Sequence, residues 1–185
     1  QGSKKIYKKN KTLIIATVCG LTKEKGLEIL FEALSFLKFK NYKLLIVGDG
    51  IEKLKLKQLS EKLNISSKIK FLGWLKDVNP ILKLSNLYVN SSYFEGFPNG
   101  VAEAINHGIP VICSQSHGGI NEILLNGKCG TIFDNGNSFE LANKIEEYYN
   151  NPKEYFSKTK LAKKNIKRFT LRKNIMGYEN LFNKL

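Results

Sequence analysis

The chain has 185 residues, 42% of them hydrophobic and 25% charged, and its 30 lysines and arginines outnumber 16 aspartates and glutamates to leave a formal net charge of +14. That length holds one well-cored domain and is too short for two large ones, and no apolar run approaches the roughly 20 residues that span a bilayer. The widely spaced Cys19, Cys113 and Cys129, with only His107 and His117 as histidines, argue against a disulfide framework and a multi-histidine metal site, and for buried thiols in a reducing compartment.

Residues 1–11 are basic and polar, lack the apolar centre of a secretory signal, and form a lead outside the domain; Gln1-Gly2-Ser3 is of the kind left by cloning. Short apolar runs then alternate with segments of helical period. The predicted strands are residues 12–18, 43–47, 70–72, 87–90, 110–113 and 130–133, several of them unbroken in apolar character, as in strands buried on both faces. The predicted helices between them are 26–37, 52–63, 78–84, 100–106, 119–125 and 138–149. Leu27, Leu30, Phe31, Leu34 and Leu37 form the stripe of a core-facing helix. Beyond Pro152 the strand pattern stops, and two lysine-rich helices are expected at about 153–168 and 171–184, packed on the sheet or on a partner domain.

Alternating strands and helices with short connections predict an α/β fold: a doubly wound, Rossmann-like parallel sheet of about six strands over residues 12–150, with two C-terminal helices in residues 151–185. Ligands of such sheets bind beyond the carboxyl ends of the strands. The turns to inspect are therefore 19–20, 48–50, 73, 91–100 and 114–119. The positive charge is almost all lysine, with Arg168 and Arg172 the only arginines. It reflects either compositional drift alongside abundant asparagine and isoleucine, or attraction to anionic headgroups and acidic ligands. Nucleic acid is a weaker reading, because clustered arginine and interleaved aromatics are absent from the sequence.

The most informative stretch is Glu95-Gly96-Phe97-Pro98-Asn99-Gly100-Val101-Ala102-Glu103. Glu95 lies in a Gly/Pro turn after a strand, and Glu103 about one turn into a helix. Strand, glycine turn and helix start build anion sites, since the turn admits a ligand to the backbone and first-turn N–H groups point at it. Carboxylates on either side can accept hydrogen bonds from sugar hydroxyls, so the pattern points to a nucleotide sugar rather than a bare phosphate. The other signals are weak singly. Val47-Gly48-Asp49-Gly50 is either a helix-starting turn or a ligand-side loop. Lys25-Gly26 either binds phosphate or sits in a solvated turn. His117-Gly118-Gly119 precedes a helix with Glu122 in its first turn, where a carboxylate also suits the helix dipole.

In this order along one βα framework, these motifs resemble the C-terminal half of the GT-B glycosyltransferases of family 4. The resemblance runs from about Thr12 to Phe133. It rests on Glu95-Gly96-Phe97-Pro98-Asn99 through Glu103-Ala104, then Gly108-Ile109-Pro110-Val111-Ile112 and Gly118-Gly119-Ile120-Asn121-Glu122-Ile123. Lys25-Gly26, Val47-Gly48-Asp49-Gly50 and Phe71-Leu72-Gly73-Trp74 fall in the same order.

The resemblance implies a domain that binds a nucleoside-diphosphate sugar, with Glu95 and Lys25 the catalytic pair. Glu95 would contact donor-sugar hydroxyls. Lys25 would offset charge on the leaving diphosphate, joined by backbone N–H groups of the run Gly96, Phe97, Pro98, Asn99 and Gly100. Glu103 would accept from the ribose, the Leu72-Gly73 backbone would meet the base, and Gly20 and Gly48 would line the site. It also implies metal-independent, cofactor-free transfer with retention by front-face attack, and a uridine donor before a guanosine one. The sugar would be a hexose or N-acetylhexosamine. The acceptor would be a cell-surface glycan or lipid-linked oligosaccharide, met through an N-terminal domain absent from this chain. The setting would be the cytoplasm, at the inner face of an anionic membrane.

One departure stands out. The family carries an arginine five residues before its lysine, and here Gly20 holds that place, with Cys19 replacing the usual glycine. This keeps open a non-catalytic module with a degenerate phosphate site. A dehydrogenase-type cofactor domain would need Gly-x-Gly-x-x-Gly after the first strand, which Val18-Cys19-Gly20-Leu21-Thr22-Lys23 does not supply.

Overall fold

A computed structural model describes residues 11–169 and 171–182. All but Lys11 of the basic lead, and the end of the second C-terminal helix, lie outside the described residues. The strands are β1 (Leu13–Val18), β2 (Tyr42–Val47), β3 (Ile69–Phe71), β4 (Leu87–Asn90), β5 (Phe94–Glu95), β6 (Val111–Ser114), β7 (His117–Gly118) and β8 (Thr131–Phe133). The helices are α1 (Leu27–Phe36), α2 (Lys53–Lys62), α3 (Asn79–Leu84), α4 (Asn99–Asn106), α5 (Ile120–Leu124), α6 (Ser138–Asn150), α7 (Pro152–Asn165) and α8 (Leu171–Phe182).

Six strands form one sheet in the order β3-β2-β1-β4-β6-β8, every pair parallel. Side chains alternate between its faces. Leu13 and Ile15 of β1 therefore enter a core with α1 and α6, while Ala16 enters a second core with α4 and α5. α7 begins at Pro152, where a missing N–H costs nothing. It sends Tyr155 and Phe156 into the first core and Ala162 into the second, so it straddles both layers.

The strand order reverses between β1 and β4, and that junction positions the site. β1 is in register with β2 along its whole length, from Leu13 opposite Tyr42 to Val18 opposite Val47. Against β4 the register covers only Ile15 and Ala16, opposite Leu87 and Tyr88. Past that point the strands part and leave a crevice at their carboxyl ends.

The six predicted strands and the α/β fold are found. Three local features were not expected. β5 and β7 form a separate two-stranded parallel sheet above the crevice. The predicted start of the first helix at Gly26 is corrected: Gly26, at φ 55°, closes a 3₁₀ turn over Lys23–Lys25, and α1 begins after it. The expected helix to 168 ends at Asn165, and a 3₁₀ turn covers Ile166–Phe169. Cys113 and Cys129 are buried, Cys19 is half-buried, and all three are free.

Candidate active site at the switch in strand order

Lys25 leaves the 3₁₀ turn after β1, and Glu95 ends β5 just beyond β4. Lys25 Nζ donates to Glu95 Oε1 at 3.0 Å. The same oxygen accepts from Ser92 Oγ at 2.8 Å and Asn90 Nδ2 at 3.2 Å. Glu95 is only 9% exposed, and a carboxylate so placed needs this partnering. Oε2 takes none of these three bonds, so Oε1 anchors the side chain. Asn90 and Ser92 were not singled out from sequence; their signal is two polar residues in a wholly buried strand end.

The lysine turn is fastened to the β4 side. Tyr93 N–H donates to the Glu24 carbonyl at 2.8 Å, Ser91 Oγ donates to the Lys25 carbonyl at 3.1 Å, and Tyr93 Oη donates to Glu28 at 3.0 Å. A Cβ on Gly26 would stand 2.3 Å from the Ser91 carbonyl oxygen, so only glycine permits this approach. Tyr88 spans the gap from beneath. Its buried hydroxyl accepts from the Val18 N–H and donates to the Val18 carbonyl, both at 3.2 Å, replacing the ladder bonds that Val18 loses where the strands part.

The run from Gly96 to Gly100 opens α4, as the sequence predicts. The structure divides its donors. Pro98 has no N–H, and that of Asn99 is spent on the Phe97 carbonyl at 2.9 Å. Those of Gly96, Phe97 and Gly100 have no backbone acceptor among the described residues. The expectation of a cradle from all five residues is thus narrowed to three amides. Pro98 is instead structural: its carbonyl accepts from Val101 and Ala102. The loop is braced by β7, where Gly119 N–H donates to the Gly96 carbonyl at 2.9 Å and a Cβ on Gly118 would lie 1.7 Å from the Glu95 carbonyl oxygen.

Glu103 lies exposed in the second turn of α4, and local desolvation still raises its carboxyl above the ordinary 4.5. At the far edge, Leu72 N–H donates to Ile46 O and Gly73 O accepts from Gly48 N–H, both at 2.8 Å. Gly48 and Gly73 pair there as an isolated antiparallel bridge. Gly48, at φ 134°, packs against Cys19, where a Cβ would stand 1.9 Å from the carbonyl oxygen. The strand-end turn therefore requires glycine there. Gly20 is exposed, and a Cβ there would meet nothing within 4 Å. Burial pushes the Cys19 thiol up to about 11, so it stays neutral. Among the described residues, no three His, Cys, Asp or Glu side chains are grouped to hold a metal ion.

The parallel sheet in this order, with its loops gathered at the β1/β4 crevice, is the Rossmann-like arrangement of a GT-B C-terminal domain. The chain belongs to the family described as Glycosyl transferases group 1, whose sequence model matches residues 2–168. An uncharacterised glycosyltransferase of Methanocaldococcus jannaschii is 38% identical over 115 residues, covering 61% of this chain and 28% of that protein. The lipopolysaccharide core biosynthesis glycosyltransferase LpsE of Rhizobium meliloti is 28% identical over 134 residues, covering 72% and 38%. HepE of Anabaena, solved with UDP and glucose, superposes with a TM-score of 0.86 at 24% identity over 95% of this chain and 49% of its own. The chain thus spans less than half the length of these relatives.

Proposed function

We propose that this chain is the donor-binding domain of a retaining glycosyltransferase that moves a hexose or N-acetylhexosamine from a nucleoside-diphosphate sugar to a cell-surface glycan or lipid-linked acceptor. The observation that carries the reading is the Lys25–Glu95 pair at the switch in strand order, beside the unspent amides that open α4. The leaving diphosphate gains negative charge as the sugar departs. The Lys25 ammonium and the Gly96, Phe97 and Gly100 N–H groups are fixed donors that stabilise this charge without a metal. Glu95, anchored through Oε1, offers Oε2 to sugar hydroxyls. Glu103 accepts from the ribose, and the Leu72-Gly73 backbone meets the base.

A uridine donor is preferred; that HepE was solved with UDP supports it. The acceptor side would come from an N-terminal domain, in keeping with relatives of which this chain's match covers 28% and 38%. Alone, the chain binds donor and barely transfers. Its basic surface suits acceptors at the inner face of an anionic membrane; among the described residues no helix is long and apolar enough to cross one. Gly20 favours a second reading, a non-catalytic module whose phosphate site has lost a cation.

Titration calorimetry with uridine, guanosine and adenosine diphosphates, beside Lys25→Ala and Glu103→Ala, tests the proposal. Selective binding of one diphosphate, weakened by both substitutions, supports it. No binding at millimolar concentration by this chain, or by a full-length protein restored with its N-terminal domain, defeats it.

A further inference from the structure

The 3₁₀ turn Ile166–Phe169 lies far along the chain from the crevice, yet it touches both segments that frame the Glu95–Gly100 loop. Phe169 meets Phe97 edge to face, ring centroids 5.4 Å apart at 65°. Arg168 holds its guanidinium 4.6 Å from the centroid of the Phe169 ring and donates to the Glu122 carbonyl oxygen in α5, with the Glu122 carboxylate 3.9 Å away. Asn165 Nδ2, one residue before the turn, donates to the Ile123 carbonyl at 2.9 Å. α5 is in turn joined to the loop through Gly119, which donates to Gly96.

Phe97 is the handle in this arrangement. It stands between Gly96, which has no side chain to grip, and Pro98. Its own N–H and those of Gly96 and Gly100 are the donors the turn leaves unspent. Phe97 is 43% exposed, so its ring is not held by burial, and the Phe169 edge is its aromatic partner. Such pairs favour one relative orientation beyond what area burial gives. Holding the Phe97 ring limits how far φ and ψ at residue 97, the dihedrals that aim the peptide planes on either side of it, can turn.

We infer that Phe169 is a positioning residue for diphosphate binding: through Phe97 it holds the amides of the Glu95–Gly100 loop in the geometry that receives the phosphates, while Arg168 and Asn165 tie its turn to α5. The inference rests on the donor-site reading above. It assigns the C-terminal segment a part in binding through the Phe97–Phe169 contact. Because Phe169 acts through orientation, its loss must weaken recognition of the diphosphate and spare recognition of the nucleoside.

The test compares Phe169→Ala, Phe169→Leu and Phe169→Tyr with the parent chain, each titrated with uridine diphosphate and with uridine by protein NMR. Phe169→Ala is expected to weaken the diphosphate roughly tenfold with uridine unchanged, and Phe169→Tyr to restore binding, with denaturation midpoints recorded alongside. A Phe97→Leu/Phe169→Leu cycle is expected to be non-additive. Equal losses for uridine and its diphosphate, an unchanged diphosphate affinity, or an additive cycle would overturn the inference. Backbone relaxation separates it from the reading it rests on. If the parent chain binds no diphosphate, the donor-site reading fails there. The positioning claim is then decided by whether Phe169→Ala lowers the N–H order parameters at Gly96, Phe97 and Gly100 while those of the β1–β2 ladder are unaffected. Unchanged order parameters at those three amides sink it.

Discussion

Lys25 and Glu95 lie 70 positions apart in the chain, and their charged groups meet at 3.0 Å across the crevice where the sheet reverses its order. Each limits the other. While Lys25 holds Glu95, part of its charge is already committed, and an incoming diphosphate must share it. Removing the lysine removes a charge-assisted contact, so Lys25→Ala should weaken uridine diphosphate binding by about 1.5–3 kcal/mol, or more than tenfold. Glu95→Gln should act oppositely. It frees the ammonium, so the diphosphate binds as well or better, while the sugar-bearing donor exchanges a charged acceptor for a neutral amide and binds worse. Calorimetry with the diphosphate and the intact sugar nucleotide on both variants checks this; parallel losses for both ligands in Glu95→Gln would contradict it.

Two glycines of the same loop system should respond in opposite ways to alanine. Gly118, at φ 111°, would drive a Cβ to 1.7 Å from the Glu95 carbonyl oxygen. Gly118→Ala should cost roughly 2–4 kcal/mol of folding stability, through clash and backbone strain. A Cβ on Gly96 meets nothing within 4 Å. Gly96→Ala should therefore leave the urea midpoint within about 0.5 kcal/mol of the parent, while its methyl group obstructs a ligand approaching the loop backbone. Denaturation paired with nucleotide titration distinguishes the two. A destabilised Gly96→Ala would show that the loop is packed more tightly than its open surroundings indicate.

Most of the sheet was legible because each strand is short, apolar and followed by a helical stripe such as Leu27, Leu30, Phe31 and Leu34, all now buried. Glu95 and Lys25 were legible through motif order, since nothing local to either residue says that they touch. Asn90, Ser92 and Tyr88 were missed for a physical reason. Their importance comes from tertiary demands: a buried carboxylate oxygen needing donors and a Val18 peptide deprived of its strand neighbour. β5 and β7 have two residues each, too few for any alternation to register. The Phe97–Phe169 pairing joins segments whose contact no spacing rule encodes.

Glu103 gives the site a pH signature. Desolvation raises its folded carboxyl above the ordinary 4.5, so the folded state favours the neutral acid. The stability this contributes is fully present below the unfolded value and is lost as pH rises through the higher folded one. Glu103→Gln, which is neutral throughout, should therefore be more stable than the parent at pH 7, with the difference fading below about pH 4.5. Binding should run the other way. On the proposed reading the ribose acceptor is the carboxylate, so Glu103→Gln should bind uridine diphosphate more weakly at pH 7 and lose less affinity than the parent on acidification. Denaturation midpoints and titrations at pH 4.5 and 7 supply both comparisons. A gap in stability that widened towards acid would reverse the assigned shift.

Gly20 occupies the place where relatives of this fold are expected to carry a second cation, and the structure gives that place room. Its surroundings are open, it is exposed, and its φ lies outside the range that only glycine adopts comfortably. Gly20→Arg should fold with an unchanged midpoint. Its guanidinium, presented at the carboxyl end of β1 beside Lys25, should raise uridine diphosphate affinity about tenfold if it gains one charge-assisted contact of about 1.5 kcal/mol. The gain should shrink as salt is raised from 0.05 to about 0.5 M, because an exposed contact is screened. A stable Gly20→Arg variant with no gain at low salt would mean that the phosphates do not pass this end of β1. A large gain over a barely binding parent would instead favour the reading of a module whose phosphate site has decayed at this one position.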